Sequence, residues 1–335
     1  MRAPLSWRCV RVGAVLGFIV TCAGAGGNAT AAVPRPRSVA GLGPAPKAIV
    51  LFTHLRRCGG SFLEDALLKP HVVANRLGKP LLCKEGELAR HARLGARSRA
   101  KFAAALERAP LVWRHCPFGS HALLGRDRPY VYVTVVRRPL ARMASWFAYC
   151  DTYSKDKCHT APYAPRGGGS KILQFYDARR RKYQAVPPAK IEAARRGEAK
   201  TLSTFHPNWL EFALDDNYAT RMLCGGDAHD HAVPLPVAAR DCAIANLRTQ
   251  YAFVGALERQ SESLCVLSSL LGATAAATSG DARKGPTTHT SAAKHPADFV
   301  EAFSRYVAHD DVVYAEATSL LDAHLAVFPR CRKRA

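Results

Sequence analysis

Hydrophobic and polar positions alternate along the chain on two different periods. Ala48–Thr53 (AIVLFT) is an unbroken apolar run of strand formers, which predicts a buried strand. It stops at His54, passes through a basic, glycine-containing turn, and resumes at Phe62, Leu63, Ala66 and Leu67 with helical spacing, predicting a helix over about 61–68. The pattern then predicts a helix over 96–108, a short strand at 111–113, and the strongest strand of the chain at Tyr130–Val136, where β-branched and aromatic residues dominate. Pro139 suits the first turn of a helix that runs to about Tyr149. Further helices are predicted near 206–214, 217–223, 236–248, 258–271, 296–308 and 311–327, with another strand at Tyr251–Val254. Strands alternating with helices imply an α/β fold with a central parallel sheet flanked by helices. Residues 151–200 are polar, basic and interrupted by Gly and Pro, as an insertion would be; 273–295 reads as a loop.

The N-terminus breaks this alternation. Arg2, Arg8 and Arg11 precede an uncharged run from Val12 to Pro34 with an apolar centre at 12–25, the pattern of a secretory leader. Residues 1–27 are therefore expected to be a signal anchor or a cleaved signal peptide. Residues 28–47, rich in Gly, Ala and Pro, follow as a stem carrying the acceptor pattern Asn28-Ala29-Thr30, and 48–335 form the folded domain. The anchor would place the domain on the lumenal side of a Golgi membrane as a single-pass type II protein; cleavage would release it. Of the 11 cysteines, Cys9 and Cys22 fall in the leader. The remaining nine enter an oxidising lumen, so some pair and at least one stays free or bonds another chain. Cys150–Cys158 and Cys224–Cys242 are the short loops that pairing would close, although spacing does not fix connectivity.

Charge changes the picture further. The 335-residue chain has 48 Lys+Arg against 26 Asp+Glu, a net charge of +22, which favours polyanions: nucleic acid, anionic membrane or acidic polysaccharide. The leader and the lack of nucleic-acid motifs count against nucleic acid. No CxxC pair occurs, and the 225–233 stretch with Asp227, His229, Asp230 and His231 reads as a polar loop rather than a metal site, so no metal is expected. Asp215-Asp216 is an acidic pair of the kind glycosyltransferases use, but nothing else supports that chemistry. The cationic run 177–184 (DARRRKYQ) would be a solvated face or a surface that steers a polyanionic glycan.

The turn after the first strand carries the candidate chemistry. Arg56, Arg57, Cys58, Gly59, Gly60, Ser61 and Phe62 lead from strand to helix, where backbone N–H groups face outward and glycine lets an anion approach them. G-x-x-x-x-G-K-[ST] is absent, which argues against a nucleoside triphosphatase. At the end of the strand at Tyr130–Val136, Arg137 precedes the helix opened by Pro139, and Ser145 lies on that helix: a guanidinium fork and a hydroxyl able to grip a second phosphate.

The loop His54-Leu55-Arg56-Arg57-Cys58-Gly59-Gly60-Ser61 and the segment Arg137-Arg138-Pro139-Leu140-Ala141-Arg142-Met143-Ala144-Ser145 resemble the paired motifs H-x-x-K-T/C-G-G-T and R-D-P-x-x-R-x-x-S of Golgi carbohydrate sulfotransferases, in particular the heparan sulfate 2-O/6-O type and its protist and algal relatives. Segments 217–225 and 253–267 look like later parts of that family, so the resemblance spans roughly 48–328. It implies a P-loop NTPase-like sulfotransferase fold that binds 3′-phosphoadenosine-5′-phosphosulfate (PAPS) as co-substrate and transfers its sulfuryl group to a carbohydrate hydroxyl. It further implies that the first loop holds the 5′-phosphosulfate, that Arg137 and Ser145 hold the 3′-phosphate, that His115 in WRHCPFG (113–119) is the base, and that Lys284 in the 283–291 loop closes on the nucleotide. Two positions depart from the family pattern: Arg57 stands where the family has its catalytic lysine, and Arg138 where it has aspartate. Arginine stays charged and donates a proton poorly, so a PAPS- or glycan-binding relative of weak activity is the alternative.

Overall fold

The computed structural model describes residues 48–74, 79–83, 96–124, 129–153, 170–184, 217–225, 235–272 and 295–332. Five parallel strands make one sheet: β1 (Ile49–Thr53), β2 (Leu81–Leu82), β3 (Leu111–Trp113), β4 (Tyr130–Val136) and β5 (Tyr251–Ala256), in the order β2-β3-β1-β4-β5. β1 and β5 are buried along their whole length, which is why they read as unbroken apolar runs rather than alternating ones. Register between β1 and β4 runs from Ile49 opposite Tyr130 to Thr53 opposite Thr134. The Thr134 hydroxyl donates to the Thr53 carbonyl at 2.9 Å, and Thr53 Oγ1 meets the Tyr251 hydroxyl at 2.8 Å, tying three strands together inside the core.

The helix after β1, α1, begins as Gly60–Leu63, widens to a π segment at Glu64–Leu68 and returns to α at Lys69–Ala74, so it runs beyond the predicted end. Then come α2 (Ala96–Arg108), α3 (Pro139–Tyr153), α4 (Lys171–Gln184), α5 (Tyr218–Cys224), α6 (Val237–Thr249), α7 (Gln260–Leu270), α8 (Ala297–Phe303) and α9 (Ala308–Val327). Part of the stretch set apart as a basic insertion is thus helical: Ile172, Phe175 and Tyr176 of α4 join Met143, Phe299, Phe303 and Val307 in a second apolar cluster, and the Tyr176 hydroxyl donates to the Met143 carbonyl. Among the described residues no helix is long and apolar enough to cross a membrane. The leader, the stem, the helix expected at 206–214 and Lys284 lie outside the described residues, as do the side chains of most of the cationic run.

Two helix starts cap each other. Burial hides the first N–H groups of α5 from water, so they need partners. The Asp310 carboxylate accepts from the Ala219 and Thr220 amides and from the Thr220 hydroxyl at 2.8–3.0 Å. In return the Asn217 side-chain oxygen accepts from the His309 and Asp310 amides of α9 at 2.8 and 3.1 Å. Asn217 sits in the left-handed region (φ 50°), one of the few non-glycine residues that tolerate it.

Disulfides join Cys83 to Cys116, Cys224 to Cys242 as expected, and Cys265 to Cys331. Cys150 is disulfide-bonded, and its expected partner Cys158 lies outside the described residues. Cys58 is the free cysteine of the described residues and is buried. Such bonds belong to a lumenal or secreted protein.

Candidate functional site

The chain leaves β1 toward β2 on one side and leaves β4 toward β5 on the other. The strand order therefore reverses between β1 and β4, and such a switch point is where open α/β sheets form their binding crevice. The loop after β1 and Arg137 after β4 are the residues at that point.

The loop is shaped by its glycines and by an arginine. Gly59 adopts φ 76° as it enters α1, and a Cβ there would come within 2.5 Å of Leu257 Cδ1. A Cβ on Gly60 would overlap the His54 imidazole, so the backbone at the start of α1 lies directly against that ring. Arg57 itself is left-handed, with φ 63°. That conformation costs an L-residue roughly 1–2 kcal/mol, and the Arg57 carbonyl is held in return by Arg137 Nη1 at 3.1 Å. The Arg57 side chain runs to α3, where its Nε donates to Ser145 Oγ at 3.1 Å and its guanidinium lies 4.9 Å from the centroid of Tyr149. Arg56 takes the neighbouring ring, 5.4 Å from the centroid of Trp146, and its amide donates to the Tyr218 hydroxyl. Trp146 and Tyr149 stack on each other at 5.6 Å, so two arginine planes rest on one aromatic pair.

Neither Arg57 nor Arg137 forms an ion pair with a carboxylate among the described residues. Burial lowers both from their usual range, and for Arg57 the adjacent Arg137 charge lowers it further. Glu258, which accepts from the Arg138 amide at 3.0 Å, acts on Arg137 in the opposite sense without pairing with it; cations held close together raise the local potential for an anion. Arg142 is buried with its guanidinium 4.7 Å from the centroid of Tyr218. Burial pushes the Cys58 thiol up to about 12, so it is neither nucleophile nor charge in this loop. Ser61 is exposed at the first turn of α1, and Phe62 packs half-buried against the core.

His115 lies on the other side of His54. It follows β3 through Arg114, which is left-handed (φ 81°) and whose carbonyl accepts from the His54 amide at 3.1 Å. The Cys83–Cys116 disulfide pins the next residue to the exit of β2. His115 Nδ1 lies 2.9 Å from the His54 carbonyl, an acceptor only, so Nδ1 carries the proton and Nε2 keeps its lone pair. Its pKa is pulled down to about 3, by burial first and then by His54, Arg56 and Arg114. His54 in turn meets Glu64, the first residue of the π segment, at 2.8 Å, both side chains being buried. The rings of His54 and His115 are 4.7 Å apart.

The structure therefore brings Arg56, Arg57, Cys58, Gly59, Gly60, Ser61, Arg137 and Ser145 to one crevice and sets His115 beside it. The sequence reading missed Tyr149, Trp146 and Tyr218, which orient the arginines, and the His54–Glu64 pair. The i, i+3 aromatic spacing of Trp146 and Tyr149, directly after Ser145, was the available signal. Among the described residues no group of His, Cys, Asp or Glu is placed to hold a metal ion. No protein-family model matches the chain, and no curated protein matches it to a significant degree. Fold and site define a class: an α/β protein with a five-stranded parallel sheet that gathers two arginines and a glycine turn at the carboxyl ends of β1 and β4.

Proposed function

We propose that the protein is a PAPS-dependent O-sulfotransferase acting on a hydroxyl of a carbohydrate, a polysaccharide or glycan, in the Golgi lumen. The observation that carries this is the Arg57–Arg137 pair, with Ser145 bonded to Arg57 and neither arginine in an ion pair among the described residues, beside the glycine turn of α1. One cluster of cations beside a glycine turn at a helix start suits a nucleotide with phosphates at both ends of its ribose. In the reaction the acceptor hydroxyl oxygen forms a bond to sulfur, and the bond from sulfur to the bridging phosphate oxygen breaks with its electron pair. The products are the sulfate ester and 3′-phosphoadenosine-5′-phosphate. His115 Nε2 takes the hydroxyl proton, and backbone N–H groups with Arg56 face the charge that grows on the leaving oxygen. The lumenal setting is supported by the disulfides and the leader, and attachment by an N-terminal anchor.

A second reading has its own support. A base whose pKa is near 3 accepts a proton weakly at neutral pH, which favours a PAPS- or glycan-binding relative of low activity. Labelled PAPS offered with a panel of glycans separates the two: transfer identifies the enzyme, binding without transfer the relative. For either, 3′-phosphoadenosine-5′-phosphate raises the melting temperature, and Arg137→Ala weakens its binding by about 2 kcal/mol, roughly thirtyfold. Equal thermal shifts in wild type and variant remove Arg137 from the site.

A further inference from the structure

We infer that Arg57 reads the terminal 3′-phosphate of the nucleotide, forming one phosphomonoester grip with Arg137 and Ser145, while Arg56 is the arginine that serves the sulfuryl-transfer side. This rests on the nucleotide reading above and reverses the role that the motif resemblance gives Arg57.

Direction is the first ground. The Arg57 side chain leaves the turn toward α3, bonding Ser145 and lying over Tyr149, residues spaced i, i+4 on one helical face. The second ground is coupling. Arg137 Nη1 holds the Arg57 carbonyl, so the Arg137 guanidinium is tied to the backbone from which the Arg57 side chain leaves. Among the described residues no acceptor meets either terminal nitrogen of Arg57, and only one nitrogen of Arg137 is engaged, which leaves edges of both planes for a ligand. Charge is compatible: two guanidiniums match a terminal phosphomonoester, which carries about −1.5 to −2 near neutral pH. The 5′-phosphosulfate also carries two charges, one on phosphate and one on the sulfuryl oxygens, so direction makes the assignment. Arg56 rests on the adjoining ring, Trp146, and differs from Arg57 in that its charge acts on His115, the candidate base.

Binding of three probes by the full chain tests this: adenosine 3′-monophosphate, adenosine 5′-monophosphate and the 3′,5′-bisphosphate, against wild type, Arg57→Gln, Tyr149→Leu and Arg56→Gln. Arg57→Gln weakens the 3′-monophosphate and the bisphosphate at least about tenfold and leaves the 5′-monophosphate within about twofold. Tyr149→Leu does the same more mildly, by about threefold, and covers the case in which Arg57→Gln melts early. Arg56→Gln shows the opposite selectivity. If Arg57→Gln weakens the 5′-monophosphate as much as the 3′-monophosphate, the inference is overturned while the nucleotide reading stands. If wild type binds none of the three, the nucleotide reading fails and the inference with it.

Discussion

His115 is neutral in its surroundings because three neighbouring groups and burial all oppose a second proton. A bound polyanion changes that sum, since it offsets Arg56 and Arg114 and favours the imidazolium. In the free protein, histidine NMR is expected to show no titration of His115 between pH 8 and about 4; with saturating 3′-phosphoadenosine-5′-phosphate, its midpoint moves upward. An unmoved midpoint would separate His115 from the anion crevice. Single residues differ in how far the sequence reveals them. Arg56, Arg57 and Arg137 were legible because each lies within a few positions of a strand end, and Ser145 because it lies on the helix that Pro139 opens after β4. Tyr218 and Glu64 were not, because their roles arise from contacts made only after the chain closes: Tyr218 receives the Arg56 amide from far along the sequence. The contacts of the Arg57 side chain with Ser145 and Tyr149 were not legible, because a motif reports where a side chain starts and not where its guanidinium ends.

The elements that hold the loop are α5 and α9, through their mutual caps. Asp310 satisfies buried donors of α5, and α5 carries the Tyr218 that braces Arg56. Replacing Asp310 by Ala removes a cap and strands N–H groups away from water, a loss of roughly 2–3 kcal/mol. Asn217→Ala removes the returning cap and leaves alanine in the left-handed region, a loss of about 2 kcal/mol. Urea denaturation of the two single variants and the double variant checks this, and the double loss falls short of the sum because each residue orients the other. Most helices and strands were visible from their period. β2 was not, since two residues carry no periodicity. The apolar stripe Ile172, Phe175, Tyr176 of α4 was masked by the basic residues that follow it on the same helix.

For the molecule as a whole, acid is the condition that tests buried histidines together. Burial lowers His324 to about 4, as it lowers His115 to about 3, against roughly 6.5 for an unfolded imidazole. The folded pKa values lie below the unfolded one, so the unfolded chain takes up these protons first. Stability is then full above about pH 6.5 and falls as pH drops toward 4, by up to about 1.4 kcal/mol per pH unit for each histidine. Asp310 works against this, because burial raises its carboxyl and the folded state protonates it readily. Thermal melts from pH 7 to pH 4 check the net slope, and His324→Leu flattens it. The α/β class and the parallel sheet followed from alternation of elements; the strand order did not, because pairing is settled between segments that no local pattern compares. That order has a consequence during synthesis. β1 is central in the finished sheet yet leaves the ribosome before every strand that pairs with it. At about 5–20 residues per second, its neighbour β4 follows several seconds later. For that interval β1 is an apolar strand with two open edges, a template for aggregation. Arg56 and Arg57, just past its end, are gatekeepers for the nascent chain, so neutralising both lowers the yield of soluble protein for a reason that no binding assay reports.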